Sequence, residues 1–124
     1  MTLLVDFDGT LHTGTYPGIG APAPHAIEMM QKLKADGHRI IIWTCREQED
    51  QEAMVEWLAE HKIPYDQINE HDPEMLKNFH YESRKVYADI YIDDRNLGGL
   101  PSWREIYDIV SGKVKPYWIY KILK

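Results

Sequence analysis

Residues Leu3-Leu4-Val5-Asp6-Phe7-Asp8-Gly9-Thr10-Leu11 carry an apolar strand straight into two acids. Two carboxylates meet at that strand's end. In an open parallel α/β sheet the crevice at the carboxyl ends of the strands is where ligands bind, so acids at such an end are placed for chemistry. Alternation along an extended chain predicts Asp6 and Asp8 on one side. Gly9 lets the backbone leave the strand at unusual dihedrals, and the Thr10 hydroxyl can close a tight turn. Two neighbouring carboxylates repel unless a cation lies between them, and a hard, oxygen-ligated ion such as Mg²⁺ suits that place.

The remaining chain alternates strand and helix signals. His12 to Pro24, with three Gly and three Pro, predicts a loop or small hairpin beside the acids. Ile27, Met30 and Leu33 recur at helical spacing within Pro24 to Asp36, with Gly37 as the stop. Arg39 to Thr44 holds Ile40-Ile41-Ile42-Trp43, a run of the kind buried on both faces of a parallel sheet. Glu47 to His61 predicts a second helix presenting Met54, Trp57, Leu58 and His61 on one face. A weaker strand is expected over Ile63 to Ile68, interrupted by Pro64, then a short helix over Pro73 to Phe79. Ala88 to Asp93 forms another strand that ends in paired acids, Asp93-Asp94. Trp103, Ile106, Tyr107 and Val110 mark a last helix, ended by Gly112. This alternation predicts one α/β domain over residues 1–124, with a doubly wound, mostly parallel, Rossmann-like sheet of about four or five strands.

Composition enters as a set of exclusions. Fourteen Lys and Arg against twenty Asp and Glu give a net charge of -6, which argues against general binding to nucleic-acid backbones. Cys45 is the single cysteine, so no internal disulfide can form and a reducing cytoplasm is the expected home. No stretch reaches membrane-spanning length. The six histidines, His12, His25, His38, His61, His71 and His80, show no zinc-like pairing.

The segment Asp6-Phe7-Asp8-Gly9-Thr10 resembles motif I, Asp-x-Asp-Gly-Thr, of the haloacid-dehalogenase (HAD) superfamily of hydrolases and phosphatases. Further resemblance follows in order: Ile-Ile-Ile-Trp-Thr44 to motif II, Lys85 to the basic residue of motif III, and Ile-Tyr-Ile-Asp93-Asp94 to motif IV. What the resemblance implies is a Mg²⁺-dependent phosphohydrolase cleaving a phosphomonoester through an aspartyl-phosphate. Asp6 would be the nucleophile and Asp8 the general acid and base. Thr44 and Lys85 would stabilise the phosphoryl group. The ion would be held by Asp6, the Asp8 backbone carbonyl and Asp93, with Asp94 left either to ligate through water or to hold Lys85. Lys77 and Arg84 compete with Lys85 for the basic role.

Neither interval between motifs has room for a cap domain. A capless member of the superfamily implies either a large substrate or closure by a neighbouring subunit in a homo-oligomer, with His12 to Pro22 as the local lid. The substrate is expected to be phosphorylated, either a small molecule such as a phosphosugar or a macromolecule. Gly9, Thr10, Cys45 and Arg46 are candidate substrate contacts, Arg46 through an anionic group and His12 from the loop. Cys45 alone reads as a small buried residue. Lys113, Lys115, Lys121 and Lys124 flank Tyr117, Trp118, Ile119 and Tyr120, which reads as an amphipathic terminal segment packed on the domain.

Two other classes share parts of this pattern. A response-regulator receiver clusters Asp, Thr and Lys on a similar sheet, but its acid pair lies on strand one and its Lys follows the Thr near the chain's end. A HAD-like module binding Mg²⁺ and a phosphorylated ligand without turnover would keep the same residues.

Overall fold

The computed structural model describes residues 1–79 and 83–113. His80 and the tail residues Lys115, Tyr117, Trp118, Ile119, Tyr120, Lys121 and Lys124 lie outside them, and so does the expectation for the tail. In chain order the elements are β1 (Thr2–Asp6), α1 (Ala26–Ala35), β2 (Arg39–Trp43), α2 (Gln48–Glu60), β3 (Gln67–Ile68), α3 (Pro73–Phe79), β4 (Ile90–Ile92) and α4 (Trp103–Val110). The four strands form one parallel sheet in the order β3-β2-β1-β4. This is a small Rossmann-like α/β fold, with no cap among the described residues.

β1 is flanked on both sides, which is why Leu3, Leu4 and Val5 are all buried. Its register sets Leu3 beside Ile40 and Ile90, and Asp6 beside Trp43. Leu3, Val5, Ile40 and Ile42 face a core completed by Met29, Met30 and Leu33 of α1, Met54, Trp57 and Leu58 of α2, and Trp103, Ile106 and Val110 of α4. On the other face Leu4 and Ile41 pack with Val86 and Ala88. Tyr91 fixes that segment, its hydroxyl donating to Val86 O at 2.9 Å and accepting from Ala88 N at 3.2 Å.

Several elements differ from the sequence expectation. The stripe on α1 runs through Ala26, Met29, Met30 and Leu33, with Ile27 only half-buried. β3 is two residues long. Pro64 lacks an N–H, and Ile63 N still bonds Leu58 O to close α2, so the chain first meets the sheet where Asp66 N reaches Ile40 O. β4 begins at Ile90 because Ala88 is used on the second sheet face and the Asp89 carboxylate takes the Thr2 N–H at 2.7 Å. His61 turns its Nδ1 to Trp57 O at 2.8 Å, satisfying a polar atom that a core position would orphan.

α4 starts where Ser102 accepts the Glu105 N–H at 3.2 Å, a side-chain cap of the usual kind. The consequence for the site is simple. β1, β2 and β4 deliver Asp6, Thr44 and Asp93 to one sheet edge, and the loops beyond them carry Asp8, Arg46 and Asp94.

Candidate active site

Asp6, Asp93 and Asp94 offer carboxylate oxygens that all lie within 4.8 Å of one another. Burial pushes Asp6 up to about 7, against the Thr10 hydrogen bond that lowers it and with the charges of Asp93 and Asp94 adding to the rise. Such a cluster is unfavourable by itself. Its donors are all hard oxygens, so it could hold a metal ion, which would remove the repulsion that adds to the rise of Asp6.

Thr10 builds the cluster. Its hydroxyl donates to Asp6 Oδ2 at 2.9 Å and accepts from Asp94 N at 3.1 Å, while its carbonyl accepts the Trp103 indole N–H at 2.9 Å. One fully buried residue thereby ties the end of β1, the turn after β4 and the start of α4. Gly9 has φ of +82°, and a Cβ there would run into the Asp94 carboxylate, 2.9 Å from its Cγ. Only glycine lets the two loops come this close. Thr10 and Gly9, expected to touch substrate, shape the site, Thr10 from a fully buried position and Gly9 from an exposed one.

Asp8 does not share the cluster. The strand stops at Asp6, so the alternation that would place both acids together ends with it. Arg46 Nε meets Asp8 Oδ2 at 2.9 Å and its Nη2 meets Oδ1 at 2.7 Å, while His12 Nε2 bonds Oδ1 at 2.8 Å. Burial opposes the charge on Asp8, but the hydrogen bonds from Arg46 and His12, with the guanidinium charge, outweigh it and hold the carboxyl below its usual range. The pairing with Asp8 in turn raises Arg46, against its own desolvation.

Arg46 is 1 % exposed, so its guanidinium faces Asp8 and not an incoming anion. Cys45, expected to be buried, is exposed, since the backbone turns between β2 and α2 there. Thr44 is held by Asn69, whose Oδ1 accepts Thr44 N and whose Nδ2 donates to Thr44 O, each at 2.8 Å. This side chain continues the β2–β3 ladder where β3 has stopped. Thr44 Oγ1 accepts from Arg46 N at 3.0 Å, leaving its proton for another acceptor.

Lys85 is exposed, its ammonium 5.3 Å from the centre of the Tyr91 ring. Tyr91 lies in β4, and Asp93 follows the strand's last residue, Ile92. Among the described residues Lys85 makes no ion pair. Lys77 and Arg84 are exposed as well.

Asn69, Tyr16 and Asp50 escaped the sequence reading, and His12 was read there as a substrate contact. Asn69 sits at φ +56°, a conformation asparagine tolerates better than most residues, but nothing in the sequence pairs it with Thr44.

The arrangement defines a small parallel α/β domain with a three-carboxylate cluster and a separately held fourth acid at the carboxyl edge of its sheet. A conserved protein of Bacteroides thetaiotaomicron has 40% sequence identity over 93% of each chain, with a TM-score of 0.81. The chain belongs to the family of that protein. Chains from two structures of the Pnkp1/Rnl/Hen1 complex, one described as an RNA repair complex, share the fold at TM-scores of 0.53 and 0.52, with 22% and 18% identity. These matches cover 77% and 88% of this chain but 36% and 41% of theirs. No family model and no curated protein matches the chain. No helix among the described residues is long and apolar enough to cross a membrane.

Proposed function

We propose that the protein is a capless member of the HAD superfamily, a phosphohydrolase acting on phosphomonoesters. The observation that carries this reading is the separation of two acids only two residues apart. Asp6 lies in the carboxylate cluster, and Asp8 is held outside it by Arg46 and His12. With a cation in the cluster Asp6 would ionise and become available as a nucleophile, and Asp8, kept out of the cluster, would be left for proton transfer.

In this reading Asp6, Asp93 and Asp94 would hold Mg²⁺ together with the Asp8 backbone carbonyl. When bound, the ion would offset negative charge on the phosphoryl group and orient it. In the first step an Asp6 oxygen forms a bond to phosphorus as the ester P–O bond breaks, and the leaving oxygen takes the proton from the protonated form of Asp8, a form that Arg46 and His12 disfavour and that Asp8, partly open to solvent, reaches by uptake from water. In the second, a water oxygen bonds to phosphorus, the Asp6–phosphorus bond breaks, and Asp8 takes the water's proton. The Thr44 hydroxyl donates to a phosphoryl oxygen. Lys85 supplies positive charge after swinging from Tyr91 toward Asp93.

The test is phosphate release from a panel of aryl and alkyl phosphomonoesters, with and without Mg²⁺, in wild type and Asp6→Asn. Turnover that needs both the ion and Asp6 supports the reading. Absence of turnover on every ester, with a melting temperature still raised by Mg²⁺, would favour a binding module instead.

A further inference from the structure

Arg46 and His12 are both fully buried, one a cation and the other a polar ring, and such groups are expensive inside a protein unless every polar atom is met. Theirs are met in a particular way. His12 Nδ1 accepts two backbone N–H groups, from Gly14 at 3.0 Å and Gly20 at 3.1 Å. That nitrogen therefore carries no proton, and the ring proton lies on Nε2, directed at Asp8 Oδ1. Gly14 and Gly20 are in backbone contact, and a Cβ on Gly14 would stand 2.7 Å from Gly20 Cα. The neck of the loop is closed on the histidine.

Arg46 is held as firmly. Its guanidinium lies 5.3 Å from the Phe7 ring and 4.9 Å from the Tyr16 ring, Nη2 also donates to Gly18 O at 3.2 Å, and Nη1 to Asp50 O at 3.4 Å. Tyr16 is fixed by its own bond to Asp50 at 2.7 Å. Both buried groups converge on one carboxylate, whose side chain is 29 % exposed.

A carboxyl group has about four lone-pair positions, and when it acts as an acid its proton occupies one of them. Two on Oδ1 and one on Oδ2 are filled. Asp8 has one position left, on Oδ2. We propose that Arg46 and His12 are positioning residues that fix Asp8 so that this single open position on Oδ2 meets the reacting oxygen. The inference deepens the phosphohydrolase reading and rests on it. A purely structural role for the same bonds would anchor the loop to the sheet, and the two roles differ in what their loss does to proton transfer.

The experiment is single-turnover hydrolysis of aryl phosphates, from p-nitrophenyl phosphate, whose leaving oxygen needs little protonation, to phenyl phosphate, whose leaving oxygen needs more. Wild type, Arg46→Lys and His12→Asn are compared with Mg²⁺ present. Lysine keeps the charge but cannot make the two-pronged contact. The expected result is a first-step rate lower by about 100-fold on phenyl phosphate and by less than about fivefold on p-nitrophenyl phosphate, with KM within about threefold. Equal losses on both esters, or a loss carried by KM, would overturn the positioning role and leave the phosphohydrolase reading standing. If wild type cleaves neither ester, that reading falls and this one falls with it. Should Arg46→Lys fail to fold, His12→Asn, which disturbs only the Oδ1 side, carries the same comparison.

Discussion

Asp6 and Asp8 are two residues apart on one strand end, yet they occupy opposite electrostatic worlds. Asp6 is pushed up to about 7, by burial first and by the charges of Asp93 and Asp94 after it, whereas Asp8, also opposed by burial, is held low by a guanidinium and an imidazole. One site asks for a cation from outside, and the other carries its cation within. The lesson is that a paired-acid motif is not one feature. Where the strand stops decides which acid joins the carboxylates from β4 and which turns toward the loop after β2.

Breaking the Asp6 side gives the largest effect. Asp6→Asn removes both the nucleophile and a cluster oxygen, so turnover should fall on the order of a thousandfold or more, read by phosphate release. Arg46→Ala breaks the Asp8 side by removing a buried partner. Because Asp8 is partly open to water, the expected loss is about 3 kcal/mol, at the low end for a broken buried pair, measured by urea unfolding. Gly9→Ala strikes the contact between the two regions. It strains a left-handed backbone position and drives Asp94 away from the cluster, costing about 2 kcal/mol and weakening Mg²⁺ binding measured by calorimetry.

Trp103→Phe removes the indole N–H from Thr10 O and leaves a small cavity in the core, and should cost about 2 kcal/mol in thermal or urea unfolding.

The smallest effect sharpens the comparison by lying outside it. Asp66 is opposed by burial, but hydrogen bonds from Lys34 and the Ile40 N–H hold it below its ordinary value of 3.8. Its folded-state affinity for protons is lower than in the unfolded chain. Its stabilisation is therefore present above that ordinary value and lost as pH falls through the depressed one. Asp66→Asn should flatten the acid limb of the stability curve by roughly 1 kcal/mol or less while leaving turnover at neutral pH unchanged.

Much of the frame was legible in the sequence for physical reasons. Ile40-Ile41-Ile42 is apolar without alternation because both faces of a parallel strand are covered, whereas Trp43, expected in the same buried run, is exposed at the strand's end; α3 begins and ends where its residues predicted. The acids of the cluster were legible too, since each ends an apolar run. What could not be read is contact made across the chain. The Arg46–Asp8 pair spans 38 residues, and the Asn69–Thr44 clasp spans 25. Neither leaves a local period or spacing. Arg46 was read as facing an anion because a charge near a site usually faces solvent, and here Tyr16, Phe7 and Gly18 enclose it. His12 was hidden in the same way, its role set by two glycine amides brought together only when the loop closes.

The most direct test of the division between the two acids is Mg²⁺ binding and ester turnover measured together on Asp8→Asn. The amide keeps the shape and leaves the Asp6, Asp93 and Asp94 oxygens untouched. The expected result is Mg²⁺ affinity within about threefold of wild type and turnover reduced by about 100-fold or more. Affinity lost in step with turnover would place Asp8 in the cation site and contradict the division.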